Sequence, residues 1–377
     1  MTQPNHKNMT VSDFNLVKLN TKQLSEHIAA TIQGGGNIAI FGKRGTGKTE
    51  ISKQEIKNAG LQEVYINLSV LERTDLAGFP RVLCADQTEK YVEYLLPQFY
   101  KPLIEGNKEA VVVFDEVDKA DPSIWAPLLE FTQFKSINQR SLPNLKSIIM
   151  TGNLISEGGS RPSLPLLDRS EKYLVEADAT LWLDWAAKVG HIHPAIRAYI
   201  SDNNLDLHGV ADPEDRYADP SPRGWTNASK ILQKGEEQGW NTALLKQKVH
   251  GCVGKAAGIK YDIYYEHYQQ LLPMIDDLFR GKDILDQYEK MEPSKKMVAC
   301  MIACTRLANQ LDLATPEQPP PTISIIGKFL QHVSYENAYI AIRGSIQLER
   351  FIKFKLDIHP DWKEHVKELK DRIKVRI

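Results

Sequence analysis

The stretch "FGKRGTGKTE", Phe41 to Glu50, fits the pattern G-x-x-x-x-G-K-[ST] at Gly42, Gly47, Lys48 and Thr49. In a loop of this kind successive backbone N–H groups turn inward around a β-phosphate, at the positive end of the helix that follows. Lys48 would reach the β and γ oxygens, and the Thr49 hydroxyl would take Mg²⁺. Gly42, Lys43, Arg44, Gly45, Thr46, Gly47, Lys48, Thr49 and Glu50 are therefore the candidate nucleotide-binding residues. Downstream, "AVVVFDE" ends an apolar run in two carboxylates. Asp115 can hold Mg²⁺ through water, and Glu116 can orient and deprotonate an attacking water. Asn153, after "SIIMTG", can hold the same water from a neighbouring strand tip, and reads equally well as a turn asparagine after Gly152. Arg169 in "LPLLDRS" and Arg223 in "DPSPRGW" can neutralise charge developing on a γ-phosphate. Surface ion pairing explains each arginine as well, and spacing alone does not choose.

A phosphate loop needs a strand before it and a helix after it. "NIAIF" supplies the strand, and "KTEISKQEIKNAG" is rich in good helix formers with no break before Gly60. Ile56 and Ala59 are the expected buried pair of that helix. "EVYIN", "AVVVFDE", "KSIIMTGN" and "KYLVEAD" complete a set of five strands. The helical patterns "PQFYKPLIEG" and "DPSIWAPLLEFTQF" fall between them, the second with Asp121 as N-cap and Pro122 at the first helical position. Strands alternating with helices predict a three-layer α/β domain with a parallel sheet. "RVLCADQTEKYVEYLL" reads as a hairpin turning near Asp86, and "KSINQRSLPN" as a shorter one.

Beyond Asp178 the strand patterns stop. "ATLWLDWAAKVG", "HPAIRAYISDN", "GWTNASKILQKGEEQG" and the long run from "NTALLKQ" to "YQQLL" read as helices. "LHGVADPEDRYADPSPR" is a loop, "TPEQPPPT" breaks the helical C-terminal region, and "DWKEHVKELKDRIKVRI" reads as an amphipathic helix with a solvated face. The expected division is an N-terminal segment with the α/β core over 1–178, an all-α lid over 179–270, and a helical region over 271–377.

The chain has 377 residues, 42% hydrophobic and 25% charged, with Lys+Arg 47 against Asp+Glu 48 and a formal charge of -1. Nothing in that balance advertises nucleic acid or an anionic membrane. No apolar run is long enough to span a bilayer, and the polar start lacks the core of a signal peptide. Cys84, Cys252, Cys300 and Cys304 are few and scattered, which suits a reducing cytoplasm. Cys300 and Cys304 lie four apart on one helical face and read as buried thiols; His191 and His193 read as loop residues before Pro194.

The order of phosphate loop, DE strand, strand ending in Asn, "LPLLDR" and a Pro-Arg helix start resembles the AAA+ ATPases of the MoxR type. "LPLLDRS", "WLDWAAKVG-HIHPAIRAYI" and "SPRGWTNASKIL" are especially similar to a bacterial and phage group of that type. The resemblance covers residues 20 to 260. It implies that Lys48 and Thr49 are Walker A residues, that Asp115 and Glu116 are Walker B, and that Asn153 is sensor 1. Arg169 would be an arginine finger presented to a neighbouring subunit, worth about 10³–10⁵ in rate where measured. Arg223 would be sensor 2, acting in its own subunit or across the interface. The hairpins match insertions that line or border a central pore, with Gly78 and Phe79 on the pore side. Three departures stand out: Arg44 where a small or apolar residue is usual, Ser170 in place of an aromatic anchor, and Leu154 where proline is frequent.

The expected activity is ATP hydrolysis by a homo-hexameric, ring-forming motor or chaperone that uses Mg²⁺ and remodels a protein partner. The resemblance implies a separately encoded partner with a von Willebrand A-type domain. A nucleic-acid translocase of restriction or remodelling type is the alternative. It needs basic hairpins, whereas the first mixes Arg81 and Lys90 with Asp86, Glu89 and Glu93, and the second carries Lys135 and Arg140. A slow nucleotide-gated switch is the third reading, for which Arg44 leaves room.

Overall fold

Ala110, Val111, Val112, Val113 and Phe114 are all fully buried, which requires cover on both faces of their strand. The computed structural model describes residues 16–86, 89–155, 162–188, 191–209, 220–346, 348–356 and 358–362, and its chain divides between Ala177 and Asp178 into two compact units.

The first unit begins β1 (Val17–Leu19), α1 (Thr21–Gly34), β2 (Asn37–Gly42), α2 (Lys48–Asn58), β3 (Gln62–Asn67), α3 (Arg73–Ala77), β4 (Phe79–Asp86) and β5 (Glu89–Leu95). It continues with α4 (Lys101–Glu105), β6 (Ala110–Asp115), α5 (Trp125–Phe134), β7 (Ser136–Ile137), β8 (Arg140–Ser141), β9 (Leu145–Gly152), α6 (Leu164–Leu167) and β10 (Glu171–Val175). Six strands form a parallel sheet in the order β1-β10-β2-β9-β6-β3. Successive side chains of a strand leave by opposite faces. Accordingly Ala39, Phe41, Val112, Phe114, Ile148 and Met150 pack with Leu103, Leu128 and Phe131 in one core. Ile38, Ile40, Val111, Val113 and Ile149 pack with Leu24, Ile28, Ile32 and Ile56 in the other. This is the three-layer arrangement expected.

Two details differ from expectation. In α2, Ile56 is buried but Ala59 is exposed; the buried stripe is Lys48, Ser52 and Ile56, four apart, because the helix ends at Asn58 and Ala59 is its cap. The sixth strand, β1, is three residues long with one buried side chain, Leu19, so it carries no readable alternation. Helix α1 behind it has a reciprocal capping box between Asn20 and Gln23 and ends at Gly35 with φ 70. Both hairpins are present: β4 pairs antiparallel with β5, and β7 with β8 through Asn138 and Gln139 at φ 47 and 66.

The second unit is helical: α7 (Ala179–Lys188), α8 (Pro194–Asp202), α9 (Pro222–Glu237), α10 (Thr242–Val253), α11 (Lys255–Phe279), α12 (Leu285–Glu289), α13 (Pro293–Leu313), α14 (Thr322–Gln331), α15 (Tyr335–Arg343) and α16 (Leu348–Lys353). Every residue of α13 from Met297 to Cys304 is buried, so this helix is the axis of one large core, and Cys300 and Cys304 lie inside it. The helical run from Asn241 to Leu272 is divided between two helices, because Gly254 takes φ 83 between α10 and α11. Helix α11 continues through residue 270, so a boundary there falls inside a helix. The proline segment separates α13 from α14, as expected. Residues 210–219 of the Asp/Pro-rich loop and 363–377 of the C-terminal amphipathic pattern lie outside the described residues.

Candidate nucleotide and metal site

The loop after β2 is built on close approach and left-handed backbone. A Cβ at Gly42 would lie 2.6 Å from the Val175 carbonyl oxygen of β10. Gly45 and Gly47 have φ 75 and 88, conformations that L side chains resist. Gly47 caps α2 and has no side chain to occupy the first-turn N–H groups, which leaves them to an anion. Lys48 is buried, and its Nζ donates to the Gly42 and Lys43 carbonyls at 2.9 Å each, with Asn153 Oδ1 at 3.5 Å. The loop, the ammonium and the asparagine therefore converge at the carboxyl ends of β2 and β9.

Asp115 ends β6 beside them, and its carboxylate gathers donors from four directions. The Thr49 hydroxyl is 3.3 Å from both carboxylate oxygens, the Tyr65 hydroxyl donates at 2.8 Å, the Glu116 N–H donates at 3.0 Å, and the Thr151 hydroxyl also donates. Burial, and then the bond to Asp115, push the Tyr65 hydroxyl up to about 12. Asp118, itself buried, accepts from the Asn153 backbone N–H at 2.9 Å and so fixes the start of that segment. Sequence reasoning missed Tyr65, Thr151 and Asp118. The signal was present only as polar residues interrupting apolar strands or following a strand end.

Glu116 sits at φ 56, a left-handed value uncommon for a side chain other than glycine or asparagine. Its carboxylate meets Lys119 Nζ at 2.7 Å. That contact first, then Ser69 and Asn67, hold it below the ordinary carboxylate range against the opposing effect of burial.

The two arginines stand elsewhere. Arg169 precedes β10, and the register sets Glu171 beside Ile38 and Val175 beside Gly42. Its backbone carbonyl accepts from Asn37 Nδ2 at the start of β2. The strand Asn37–Gly42 is roughly 16 Å long at about 3.3 Å per residue, and it separates Arg169 from the phosphate loop of its own chain. Arg223 is exposed in the first turn of α9, where Ser221 caps and Pro222 opens the helix. Gly78 is buried with φ 86, and a Cβ there would meet the Leu95 carbonyl oxygen at 2.6 Å. Phe79, Val82, Val92, Tyr94 and Leu95 of the hairpin are exposed.

Thr49 and Asp115 fit a magnesium site, because Mg²⁺ takes one or two protein oxygens and completes its shell with water and phosphate. Among the described residues no group of three or more His, Cys, Asp or Glu side chains is placed to hold a metal. No described helix is long and apolar enough to cross a membrane.

No protein-family model matches the chain. The chain is 29% identical over 130 residues to the chaperone protein ClpB of Mycoplasmoides gallisepticum, a match covering 32% of this chain and 17% of ClpB. It therefore spans less than a fifth of that relative's length. Among solved structures, the RuvB Holliday junction branch migration motor of Thermotoga maritima aligns over 61% of this chain and 67% of its own, at 13% identity and TM-score 0.36. NtrX of Brucella abortus in complex with ADP aligns over 65% and 68%, at 14% identity and TM-score 0.33. At such scores the structural likenesses are weak, and the fold described above rests on the sheet order and loop geometry of this chain. The similarity to ClpB supports the AAA+ resemblance at the level of the superfamily.

Proposed function

We propose that the chain is an ATP-hydrolysing AAA+ motor of the MoxR type, working as a homo-hexameric ring whose active sites lie between subunits. The observation that carries this reading is the division of the catalytic groups between two ends of one sheet. Lys48, Thr49, Asp115, Glu116 and Asn153 gather at the carboxyl ends of the strands, while Arg169 stands at the amino end of β10. An arginine so placed serves the site of a second copy, not its own.

Bound Mg²⁺, held by Thr49 and through water by Asp115, would neutralise charge on the phosphates. Lys48 and the loop N–H groups bind and orient the β and γ phosphates. Glu116 takes the proton of the attacking water as its oxygen bonds the γ-phosphorus and the bond to the β-phosphate oxygen breaks, releasing ADP and phosphate. Asn153 orients that water, the neighbour's Arg169 neutralises the charge that develops, and Arg223 senses the γ-phosphate. Hydrolysis then shifts the helical lid, assigned to residues 179–270, and moves the pore hairpins, whose exposed Phe79, Val82 and Tyr94 suit a polypeptide better than a phosphate backbone. The target is a protein, with a separately encoded von Willebrand A-type domain protein as the partner that the family resemblance implies.

The test is ATP hydrolysis per chain as protein concentration rises, with Glu116→Gln as control. The specific rate should climb with concentration and then level off, and the control should be inactive while still binding nucleotide. A monomer by sizing that hydrolyses at a constant specific rate would overturn the intersubunit site.

A further inference from the structure

We infer that Gln133 is a positioning residue for Arg169, holding its guanidinium ready for a neighbouring subunit; this rests on the ring reading above. Gln133 Oε1 accepts from Arg169 Nε at 3.1 Å and Nη2 at 2.8 Å, and Arg169 Nη1 donates to the Pro165 carbonyl. Three of the five guanidinium N–H bonds are thus spent on the arginine's own subunit. The remaining two leave from Nη1 and Nη2, the pair that can meet a phosphate side by side.

The mount is rigid at its backbone as well. Asn37 Nδ2 donates to both the Thr132 carbonyl of α5, at 3.0 Å, and the Arg169 carbonyl, at 3.2 Å. The last turns of α5 therefore fix the arginine through main chain and side chain together. That end of α5 is itself held. Glu130, one turn before Gln133, accepts from the Ser136 hydroxyl and from the Asn138 and Gln139 N–H groups of the short hairpin at 2.9–3.0 Å. Lys135, at φ 47, closes the helix and donates from Nζ to the Lys146 carbonyl at 2.7 Å. Asn138 Nδ2 continues the chain of contacts to the Ala77 carbonyl, next to Gly78 at the base of the long hairpin. Gln133 is exposed, so nothing in packing demands a glutamine there. What it does is grip one arginine with one neutral oxygen, which orients the cation without cancelling its charge. A glutamate at 133 would orient it equally and neutralise it.

The experiment compares full-length wild type, Gln133→Glu, Gln133→Met, Arg169→Ala and the double variant Gln133→Glu/Arg169→Ala. Hydrolysis, binding of a fluorescent ATP analogue and melting temperature are measured for each. Arg169→Ala should slow turnover by about 10³-fold or more. Gln133→Glu should slow it roughly 10–100-fold, as misplacement or neutralisation of a transition-state group does. Gln133→Met, which keeps the length and loses the acceptor, should fall between. Analogue binding and melting temperature should stay at the wild-type values in both Gln133 variants, and the double variant should match Arg169→Ala. Gln133→Glu subunits mixed with Glu116→Gln subunits should regain activity that neither has alone, since each supplies what the other's site lacks. Wild-type turnover in Arg169→Ala would sink the ring reading itself. Slow turnover in Arg169→Ala with wild-type turnover in Gln133→Glu would overturn this inference alone. So would a further loss in the double variant, or no gain on mixing. Gln133→Met carries the comparison if the glutamate variant melts early.

Discussion

Lys48 in the α/β unit and Arg197 in the helical unit are the two buried lysine or arginine side chains among the described residues, 7% and 2% exposed. Their surroundings are opposite in sense. Arg197 points at the carboxyl end of α15: it donates to the Gly344 carbonyl and to the Ser345 and Thr305 hydroxyls. That end of a helix carries partial negative charge, so the cation is compensated by the fold itself. Burial still pushes its pKa down to about 10. Lys48 is the first residue of α2, at the end where the helix dipole adds to its positive charge. The Gly42 and Lys43 carbonyls and the Asn153 side-chain oxygen lie around it, and the glycine loop beside it presents N–H groups. One cation completes a core. The other stands in a glycine loop at a helix N-terminus, where a phosphate can bind. Burial of a charge is therefore not the mark of a site; the glycine loop and helix N-terminus around it are.

The contrast can be broken most directly at Lys48. Lys48→Ala should lower hydrolysis by about 10²–10³-fold, as loss of a donor to developing charge does, without lowering the melting temperature. A variant that melts early yet turns over normally would make Lys48 the structural cation. Arg197→Met should do the reverse. Removing the donor to the buried Gly344 carbonyl, while the Thr305 and Ser345 hydroxyls keep each other, should cost about 1–3 kcal/mol in urea unfolding, with little change in turnover per folded chain. Equal stability in this variant would mean that the buried guanidinium compensates nothing.

Two smaller effects sharpen the same distinction. Glu116 has its pKa lowered in the folded state, so its ionised form is favoured and is lost only as pH falls through that lowered value. In Lys119→Met the carboxyl pKa should rise, moving the acid limb of the hydrolysis profile to higher pH; an unmoved limb would assign it to another group. In the helical unit, burial raises the Cys300 thiol to about 12 and holds the Cys304 thiol well above the ordinary range, while Cys252 is only half-buried. A thiol reagent should reach Cys252 in the native protein and Cys300 and Cys304 only after unfolding. Native labelling of the pair would show that the α13 core opens.

Much of the α/β unit is legible in the chain. The glycine loop and the strands through Phe41, Phe114 and Gly152 are local patterns, since a strand covered on both faces must be apolar throughout. Both hairpins are legible as breaks in the strand–helix alternation. β1 was not, because three residues with one buried side chain carry no periodicity. The break at Gly254 was passed over, because a glycine inside a helical pattern is as often tolerated as not. Within the site, Lys48, Thr49 and Asp115 are legible from motif and spacing, while Asn153 reads equally as a turn asparagine and only the family resemblance makes it a sensor. Tyr65, Thr151 and Asp118 are not legible, because each acts on a residue distant in sequence, and a hydroxyl's partner is set by strand order.

The sequence by itself therefore determined the phosphate loop, the paired acids and the change from alternating strands to helices near Asp178, all of which follow from short-range periodicity and backbone preference. Only the tertiary structure decided that four donors meet on Asp115, that Glu116 is held by Lys119, and that Arg169 stands a strand's length from its own loop beside Gln133. The Glu116–Lys119 contact depends on the left-handed backbone at Glu116. The hydroxyls on Asp115 and the place of Arg169 depend on the order and register in which strands far apart in the chain pair, which no local pattern encodes.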